Sequence, residues 1–156
     1  MIFEVDHLAM TRLGWRDQGL SVGLCHGCFD IFHIGHALHL EECSKKVDRL
    51  IVSITADNFV RKGLGRPVFD EKERAVVIAS IKHVDAVCIS HSDTAIPVLD
   101  ALMPTMFFKG KDYQSEIAQP GFVEEKEFAN LHNISVCITK SEKYSSTNVL
   151  KLIGYC

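Results

Sequence analysis

Runs of apolar, often β-branched residues recur along the chain and predict its secondary structure. Because these runs are continuously apolar rather than alternating, they are typical of strands buried on both faces of a sheet. We predict strands at 20–26, 49–55, 84–90, 105–110 and 134–139. We predict helices from apolar residues at helical spacing within 1–19 and at 35–46, 70–82, 94–102, 121–132 and 146–153. Strand and helix alternate throughout, which predicts an α/β fold built on a parallel sheet.

Length and composition fit one globular domain. The chain has 156 residues, 47% of them apolar and 24% charged, and a net charge of −3. We therefore expect a single doubly wound, Rossmann-like domain over residues 1–156, with about five strands and the leading helix packed on it. The weakly acidic charge argues against nucleic acid as a partner. No apolar run approaches about 18 residues and "MIFEVDHLAM" lacks a signal-peptide pattern, so we expect a cytoplasmic protein without membrane contact.

The six cysteines are predicted to be free thiols. Five of them lie in or beside apolar runs: Cys25, Cys28, Cys43, Cys88 and Cys137. A reduced thiol in such a place behaves as a small hydrophobic side chain. The expected cytoplasmic location would also keep these thiols reduced.

The segment "GCFDIFHIGH", residues 27 to 36, directly follows the first predicted strand. Gly27 allows a sharp turn, and the next helix would present its free N–H groups and positive dipole end to an anion. His33 and His36 are three residues apart and share one face at the start of that helix, where Gly35 leaves room for a nucleotide. Imidazole N–H groups can stabilise the charge that develops on a phosphoryl group. The segment therefore predicts a catalytic phosphate site.

Two other interpretations explain this segment less well. A zinc site could use Cys25, Cys28, His33 and His36, but closed zinc sites normally combine two ligand pairs across a longer loop. A polar helix face without function does not explain two histidines and two glycines within so short a segment. We therefore predict no metal-ligating residues.

A second candidate anion site lies near the end of the chain. In "KYSSTNVLKLI", Ser145, Ser146 and Thr147 precede the last predicted helix, and hydroxyl and N–H groups at a helix start bind anions. Two basic loops, at 61–74 and 108–121, are of the type that reaches over an active site. Together these features favour a ligand with several phosphates.

These motifs resemble those of a known family. "GCFDIFHIGH" resembles the G-x-F-D-x-x-H-x-G-H signature of the cytidylyltransferase-like nucleotidyltransferases, and "SSTN" resembles their second signature. The segments "RDQG", "GRPVFDEKER" and "FKGKDY" are most similar to the branch that activates heptose 1-phosphate with ATP. The resemblance covers nearly the whole chain. It implies that an acceptor phosphate attacks the α-phosphorus of a nucleoside triphosphate, that pyrophosphate leaves, and that the protein forms a homodimer or larger assembly.

The same resemblance implies roles for individual residues. His33, His36 and Lys45 would be catalytic, and Mg²⁺ would bridge the triphosphate. The nucleotide would contact Gly27, Cys28, Phe29, Asp30, Gly35, Arg74, Lys109, Gly110, Asp112, Ser145, Ser146 and Thr147. The phosphorylated acceptor would contact Cys25, His26, Arg61, Lys62 and Arg66.

Some positions depart from the family pattern. Relatives usually have Thr-Asn where this chain has Cys25 and His26, which bears on contacts to the acceptor. Relatives have Gly where this chain has Lys143, which puts a long cation beside the nucleotide. His39 has no counterpart in the signature.

The sequence leaves two alternatives for the identity of the nucleotide and of the acceptor. Lys140 and Glu142, just before the predicted triphosphate site, favour CTP with a polyol phosphate or a phosphonate. The "GRP" and "FKGKDY" loops favour ATP with a sugar 1-phosphate, and we prefer this pair because the loops cover more of the chain. A non-catalytic nucleotide-binding module and a zinc-dependent interaction domain are the remaining alternatives.

Overall fold

The computed structural model describes residues 1–111 and 120–140, which form an α/β structure. Its helices are α1 (Val5–Asp17), α2 (Ile34–Ser44), α3 (Glu71–Ala79), α4 (Ile96–Leu102) and α5 (Pro120–Leu131). Its strands are β1 (Ile2–Phe3), β2 (Val22–Gly27), β3 (Arg49–Thr55), β4 (Ala86–Ser90), β5 (Met106–Lys109) and β6 (Ser135–Ile138). A 3₁₀ turn (Asp57–Phe59) follows β3. The helix predicted at 146–153 lies outside the described residues.

The strands form one parallel sheet in the order β1-β4-β3-β2-β5-β6. The prediction of an α/β fold with a doubly wound parallel sheet is confirmed. The sheet has one strand more than predicted, because β1 pairs with β4 at its edge. β1 is only two residues long, which is too short to show a hydrophobic period in the sequence.

Helices cover both faces of this sheet. One buried cluster contains Leu24, Phe107 and residues of α1, α4 and α5. The next residues along the same strands, Cys25 and Phe108, belong to a second cluster with residues of α2 and α3. Since successive strand residues point to opposite faces, two apolar layers require continuously apolar strands, which explains the pattern in the sequence. None of the helices in the described part of the chain is both long and apolar enough to span a bilayer.

The order of the strands reverses beside β2. From β2 the chain passes to β3 and β4 on one side and then crosses to β5 on the other. Open α/β sheets bind ligands at such a switch point, beyond the carboxyl ends of the strands. β2 ends at Gly27, so the segment 27–36 begins at this position.

A capping box at the start of α3 fixes one end of the loop 61–69. Asp70 accepts hydrogen bonds from the backbone N–H groups of Lys72 and Glu73, each at 2.8 Å. Glu73 accepts one from the N–H of Asp70 at 3.0 Å. The loop therefore runs between the 3₁₀ turn and a well-defined helix start.

Candidate active site

The signature segment starts with a tight turn after β2. Phe29 has a φ of +48°, a left-handed conformation that is uncommon for a residue with a side chain. A Cβ atom at Gly27 would lie 3.3 Å from Cε2 of Phe29, so a larger residue there would press on the ring. The turn leaves Asp30 buried, with 1% of its surface exposed.

The carboxylate of Asp30 holds the loop 61–69 against this turn. It accepts a hydrogen bond from the backbone N–H of Val68 at 2.6 Å and pairs with Nε of Arg66. The sequence predicts a nucleotide contact for Asp30 and an acceptor contact for Arg66. The structure instead pairs the two side chains with each other in a buried position, because the loop folds back over the turn.

Arg74 braces the same turn from α3. Its buried guanidinium donates hydrogen bonds to the carbonyl oxygens of Cys28, Thr55 and Phe69 and to the carboxylate of Asp57. These acceptors belong to four different segments, which a single guanidinium joins through its fork of donors. The sequence predicts a nucleotide contact for Arg74. Its described hydrogen bonds go to protein acceptors, which is the arrangement of a residue that holds the turn in position, and the nucleotide contact stays a prediction.

His33 and His36 lie together at the start of α2. His33 is the N-cap residue, and the two imidazole rings stack with centroids 3.8 Å apart. The backbone N–H of His33 points at Nδ1 of His36 over 3.4 Å. Because Nδ1 of His36 accepts this contact, the ring proton of neutral His36 lies on Nε2. Gly35, between the two histidines, is buried in the first turn of the helix.

Both imidazoles are neutral at physiological pH. Burial lowers the pKa of His36 to about 3, and the charges of His33, Lys62 and His39 act in the same direction. Burial and the charge of Lys62 also lower the pKa of His33. The rings of Phe29 and Phe32 lie 5.2 and 5.6 Å from the ring of His36 and exclude water from its sides. A neutral imidazole here acts as a hydrogen-bond donor, not as a permanent cation.

Lys62 supplies a positive charge that acts on both of these rings. It is exposed in the loop 61–69, and its charge acts on His33, His36 and Cys28. Arg61 is exposed beside it. The sequence predicts both as acceptor contacts, and an exposed position at the rim of the site is compatible with that role.

Lys45 lies at the other end of α2. It is the C-cap residue, and its ammonium pairs with Glu41 at 2.9 Å on an exposed surface. An eleven-residue helix is about 16 Å long, so the structure does not bring Lys45 to the histidines at the helix start. The catalytic role of Lys45 stays a prediction, and the lysine whose charge acts on both imidazoles is Lys62.

His26 lies on β2, just before the turn. Its Nδ1 is 2.7 Å from Oγ of Ser53, and its Nε2 is 3.5 Å from Oγ1 of Thr55, so both ring nitrogens face hydroxyls of β3. Burial and the charge of Lys109 lower the pKa of His26 to about 3. His26 is thus a neutral, fixed group at the carboxyl edge of the sheet. The sequence gave no indication of its two hydroxyl partners.

Cys25 and Lys109 are both buried. Cys25, a predicted acceptor contact, is buried in the apolar layer between the sheet and α2. Lys109, a predicted nucleotide contact, forms a buried ion pair with Glu125, which also accepts a hydrogen bond from the N–H of Ala95 at 2.7 Å. At Gly110 a Cβ atom would meet nothing within 4 Å, so its backbone lies open beside the site.

The remaining predicted residues, Asp112, Ser145, Ser146 and Thr147, lie outside the described residues, as do Glu142 and Lys143. Sequence analysis missed Asp57 and Glu125, which hold Arg74 and Lys109 in place. Each is a single acidic residue far along the chain from its partner, and no motif marks it.

Comparison with known proteins identifies relatives of this chain. The family model described as cytidylyltransferase-like matches residues 24–152. The chain is similar to the bifunctional protein HldE of Mesorhizobium japonicum, with 41% identity over 114 residues, and to that of Bradyrhizobium diazoefficiens, with 45% identity over 118 residues. These matches cover 72% and 74% of this chain but 23% and 24% of the relatives. The chain thus spans about a quarter of the length of the curated relatives it matches.

Solved structures share the fold. A lipopolysaccharide core biosynthesis protein from Thermoplasma volcanium GSS1 matches with a TM-score of 0.65 and 29% identity, over 81% of this chain and 100% of that one. A pantoate-beta-alanine ligase from Francisella tularensis also reaches 0.65, at 14% identity over 94% of this chain and 69% of that one, and so supports the fold alone.

The fold, with paired imidazoles at its switch point, is that of the cytidylyltransferase-like class of proteins. The chain belongs to the cytidylyltransferase-like family, whose model covers well over half of it. The predicted family is therefore confirmed, and the HldE relatives support the predicted branch.

Proposed function

We propose that this chain transfers a nucleoside monophosphate group from a nucleoside triphosphate to a phosphorylated small molecule and releases pyrophosphate. The observation that carries the proposal is the pair of stacked, neutral imidazoles at the start of α2, directly after β2 at the switch point. Both rings can donate to phosphate oxygens where the free N–H groups of the helix also point.

In this reaction the protein mainly positions the two substrates and does not itself form a covalent bond to them. An oxygen of the acceptor phosphate forms a bond to the α-phosphorus, and the bond from that phosphorus to the bridging oxygen of the β-phosphate breaks. The electron pair of the broken bond leaves with pyrophosphate. Nε2–H of His36 and the ring of His33 stabilise the negative charge that grows on the α-phosphate oxygens, and Lys62 adds a positive charge at the rim.

Magnesium would enter with the triphosphate. The ion would neutralise part of the negative charge on the phosphate oxygens. The acidic residue of the signature, Asp30, has its carboxylate oxygens on Arg66 and Val68. We therefore assign the ion to the nucleotide rather than to a carboxylate of the signature.

We favour ATP and a sugar 1-phosphate of heptose type as the substrates. The similarity to the bifunctional protein HldE and to a lipopolysaccharide core biosynthesis protein supports a sugar acceptor, since the branch predicted from the sequence activates heptose 1-phosphate. The second candidate is CTP with a polyol phosphate or a phosphonate, which Lys140 and Glu142 favour in the sequence.

A pyrophosphate-release assay tests both the proposed reaction and the proposed substrates. It combines ATP, CTP, GTP and UTP with sugar 1-phosphates, polyol phosphates and phosphonates, with wild type and His36→Ala side by side. We expect rapid release with ATP and a sugar 1-phosphate and at least a hundredfold slower release by the variant. Release with CTP alone would replace the substrates but keep the reaction. No release from any pair would contradict the reaction itself and favour a nucleotide-binding module.

A further inference from the structure

Three soft ligand side chains meet between the sheet and α2, behind the signature turn. Cys25 lies on β2 and faces α2, while His39 and Cys43 are four residues apart and share the face of α2 that meets the sheet. One potential ligand atom from each residue lies within 4.8 Å of the other two. No other group of three or more such side chains lies as close within residues 1–111 and 120–140.

The orientation of His39 is fixed by a hydroxyl behind it. Oγ1 of Thr139 donates a hydrogen bond to the carbonyl oxygen of Lys109 over 3.3 Å, which uses its only proton. Nδ1 of His39 lies 2.8 Å from the same hydroxyl, so it donates to the oxygen and carries the ring proton. Nε2 then keeps its lone pair, and Sγ of Cys43 lies beside the ring, 3.8 Å from Nε2 and 3.9 Å from Nδ1. This arrangement matches metal-binding histidines, whose second nitrogen donates to an oxygen acceptor.

The size and chemistry of the cluster fit a metal ion. A zinc–sulfur bond of about 2.3 Å and tetrahedral geometry separate two ligand sulfurs by about 3.8 Å, which is within the 4.8 Å that spans the three ligand atoms. Two thiolates and one neutral imidazole balance the charge of a divalent ion and are soft enough to exclude Mg²⁺ and Ca²⁺.

We propose that Cys25, His39 and Cys43 form a zinc site, in which the ion links β2 to α2 and leaves its fourth position to a water molecule. Cys25 and Cys43 are 1% and 0% exposed, so the ion would lie in a largely dry place with its opening at the half-buried His39. The site differs from the zinc site considered in the sequence analysis, because Cys28, His33 and His36 take no part. It replaces the prediction that the chain has no metal-ligating residues.

The position of this site gives it a structural role. α2 carries His33 and His36 at its start, and His39 lies one turn further along the same helix. An ion between β2 and α2 would fix the helix relative to the strand that precedes the turn. Zinc is thus expected to raise the melting temperature of the whole chain, which is a readout independent of the reaction.

Cobalt substitution and zinc titration test the proposal on the full chain. The protein is purified with a chelator and a reductant, then titrated with Co²⁺ and with Zn²⁺ against a competing chromophoric chelator. We expect one metal ion per chain, near-ultraviolet thiolate-to-cobalt charge-transfer absorption, and tetrahedral visible bands. In Cys43→Ala and His39→Gln the affinity for zinc should fall at least a hundredfold. The control Cys88→Ala removes a buried thiol from β4, in the other apolar layer, and should bind zinc as the wild type does.

Wild-type spectra keep the test decisive even if a variant does not fold. Absence of a thiolate-to-cobalt band in folded wild type would overturn the proposal. An undiminished band in folded Cys43→Ala would also overturn it. Loss of two titratable thiols to a disulfide in the presence of excess Zn²⁺ would assign Cys25 and Cys43 to redox chemistry instead and would contradict the metal site.

Discussion

Two groups of polar side chains surround the turn after β2, and they differ in exposure and in partners. The first group, His33, His36 and Lys62, is the one that we propose to act on the substrates, and we call it the reactive group. It is half-buried or exposed and lies at the start of α2 and in the adjoining loop. The bracing group, Asp30, Arg66 and Arg74, lies below the turn, and its hydrogen bonds go to the protein.

Both groups contain basic side chains near the same turn, but their surroundings differ. Arg74 and Lys62 were both predicted to contact phosphates, but Arg74 contacts backbone carbonyls of three segments. The signature segment 27–36 thus contains the proposed reactive residues His33 and His36 together with Asp30, which holds the turn in shape. We therefore expect substitutions in the bracing group mainly to lower the stability of the fold. Substitutions in the reactive group should mainly lower turnover.

The largest effect is expected for Arg74→Met. Removing a buried guanidinium that joins four segments leaves its acceptors unpaired, and the free energy of unfolding should fall by about 3–5 kcal/mol. Urea denaturation measures this change. The control Arg49→Met breaks a partly exposed ion pair with Asp85 and should cost less than about 1 kcal/mol. A stable Arg74→Met variant that no longer binds nucleotide would return Arg74 to the nucleotide contacts.

His36→Ala should lower turnover while leaving stability nearly unchanged. Loss of one imidazole donor is expected to reduce kcat about a hundredfold or more, equivalent to about 3 kcal/mol, with KM for the triphosphate within several-fold. Steady-state kinetics measures both constants. His7→Ala, an exposed histidine on α1, should behave as wild type. If nucleotide binding vanished while turnover at saturation survived, the role of His36 would be ground-state binding.

The two lysines give a direct contrast. Lys62→Met should reduce kcat at least about tenfold, since its charge lies near both imidazoles. Lys45→Met should change kcat by less than about twofold, because Lys45 lies at the far end of α2 beside Glu41. The reverse order of these effects in the same assay would restore the catalytic role predicted for Lys45 from the sequence.

The pH dependence of stability gives the smallest effect. The pKa values of His26 and His36 are near 3 in the folded chain, below the ordinary value of 6.5, so the unfolded chain binds more protons between these limits. Stability should therefore fall as the pH falls below 6.5, by about 0.7 kcal/mol for each imidazole between pH 7 and pH 6. Denaturation at both pH values should show a smaller loss for His26→Asn. An identical loss would mean that His26 is not buried as a neutral group.

The fold was largely predictable from local patterns, whereas the site was predictable only in part. Buried strands and amphipathic helices have characteristic patterns of apolar residues. Five strands and the helices between them can therefore be predicted from the sequence. The signature turn is also local, and Gly27, His33 and His36 lie where the motif predicts. The β1 strand was not predicted, because a strand of two residues is too short to show a periodic pattern of apolar residues.

The parts that the sequence could not reveal depend on contacts between distant residues. Lys45 is nearer than Lys62 to the histidines along the chain, but α2 carries it away from the carboxyl edge of the sheet. The partners of Arg74 and the meeting of Cys25 with Cys43 likewise arise from how elements pack. A motif identifies residue types at fixed spacing, and only the packed structure shows which donors are already occupied.

The most direct test of the central claim follows the atoms in the reaction. Wild-type protein, Mg²⁺ and the most active nucleoside triphosphate are incubated with an acceptor whose phosphate oxygens carry oxygen-18, and the products are observed by phosphorus NMR. The account predicts equal amounts of pyrophosphate and a nucleoside diphosphate product with the label in its bridging oxygen. Release of an unlabelled nucleoside monophosphate, with the acceptor unchanged, would contradict direct transfer between the two substrates.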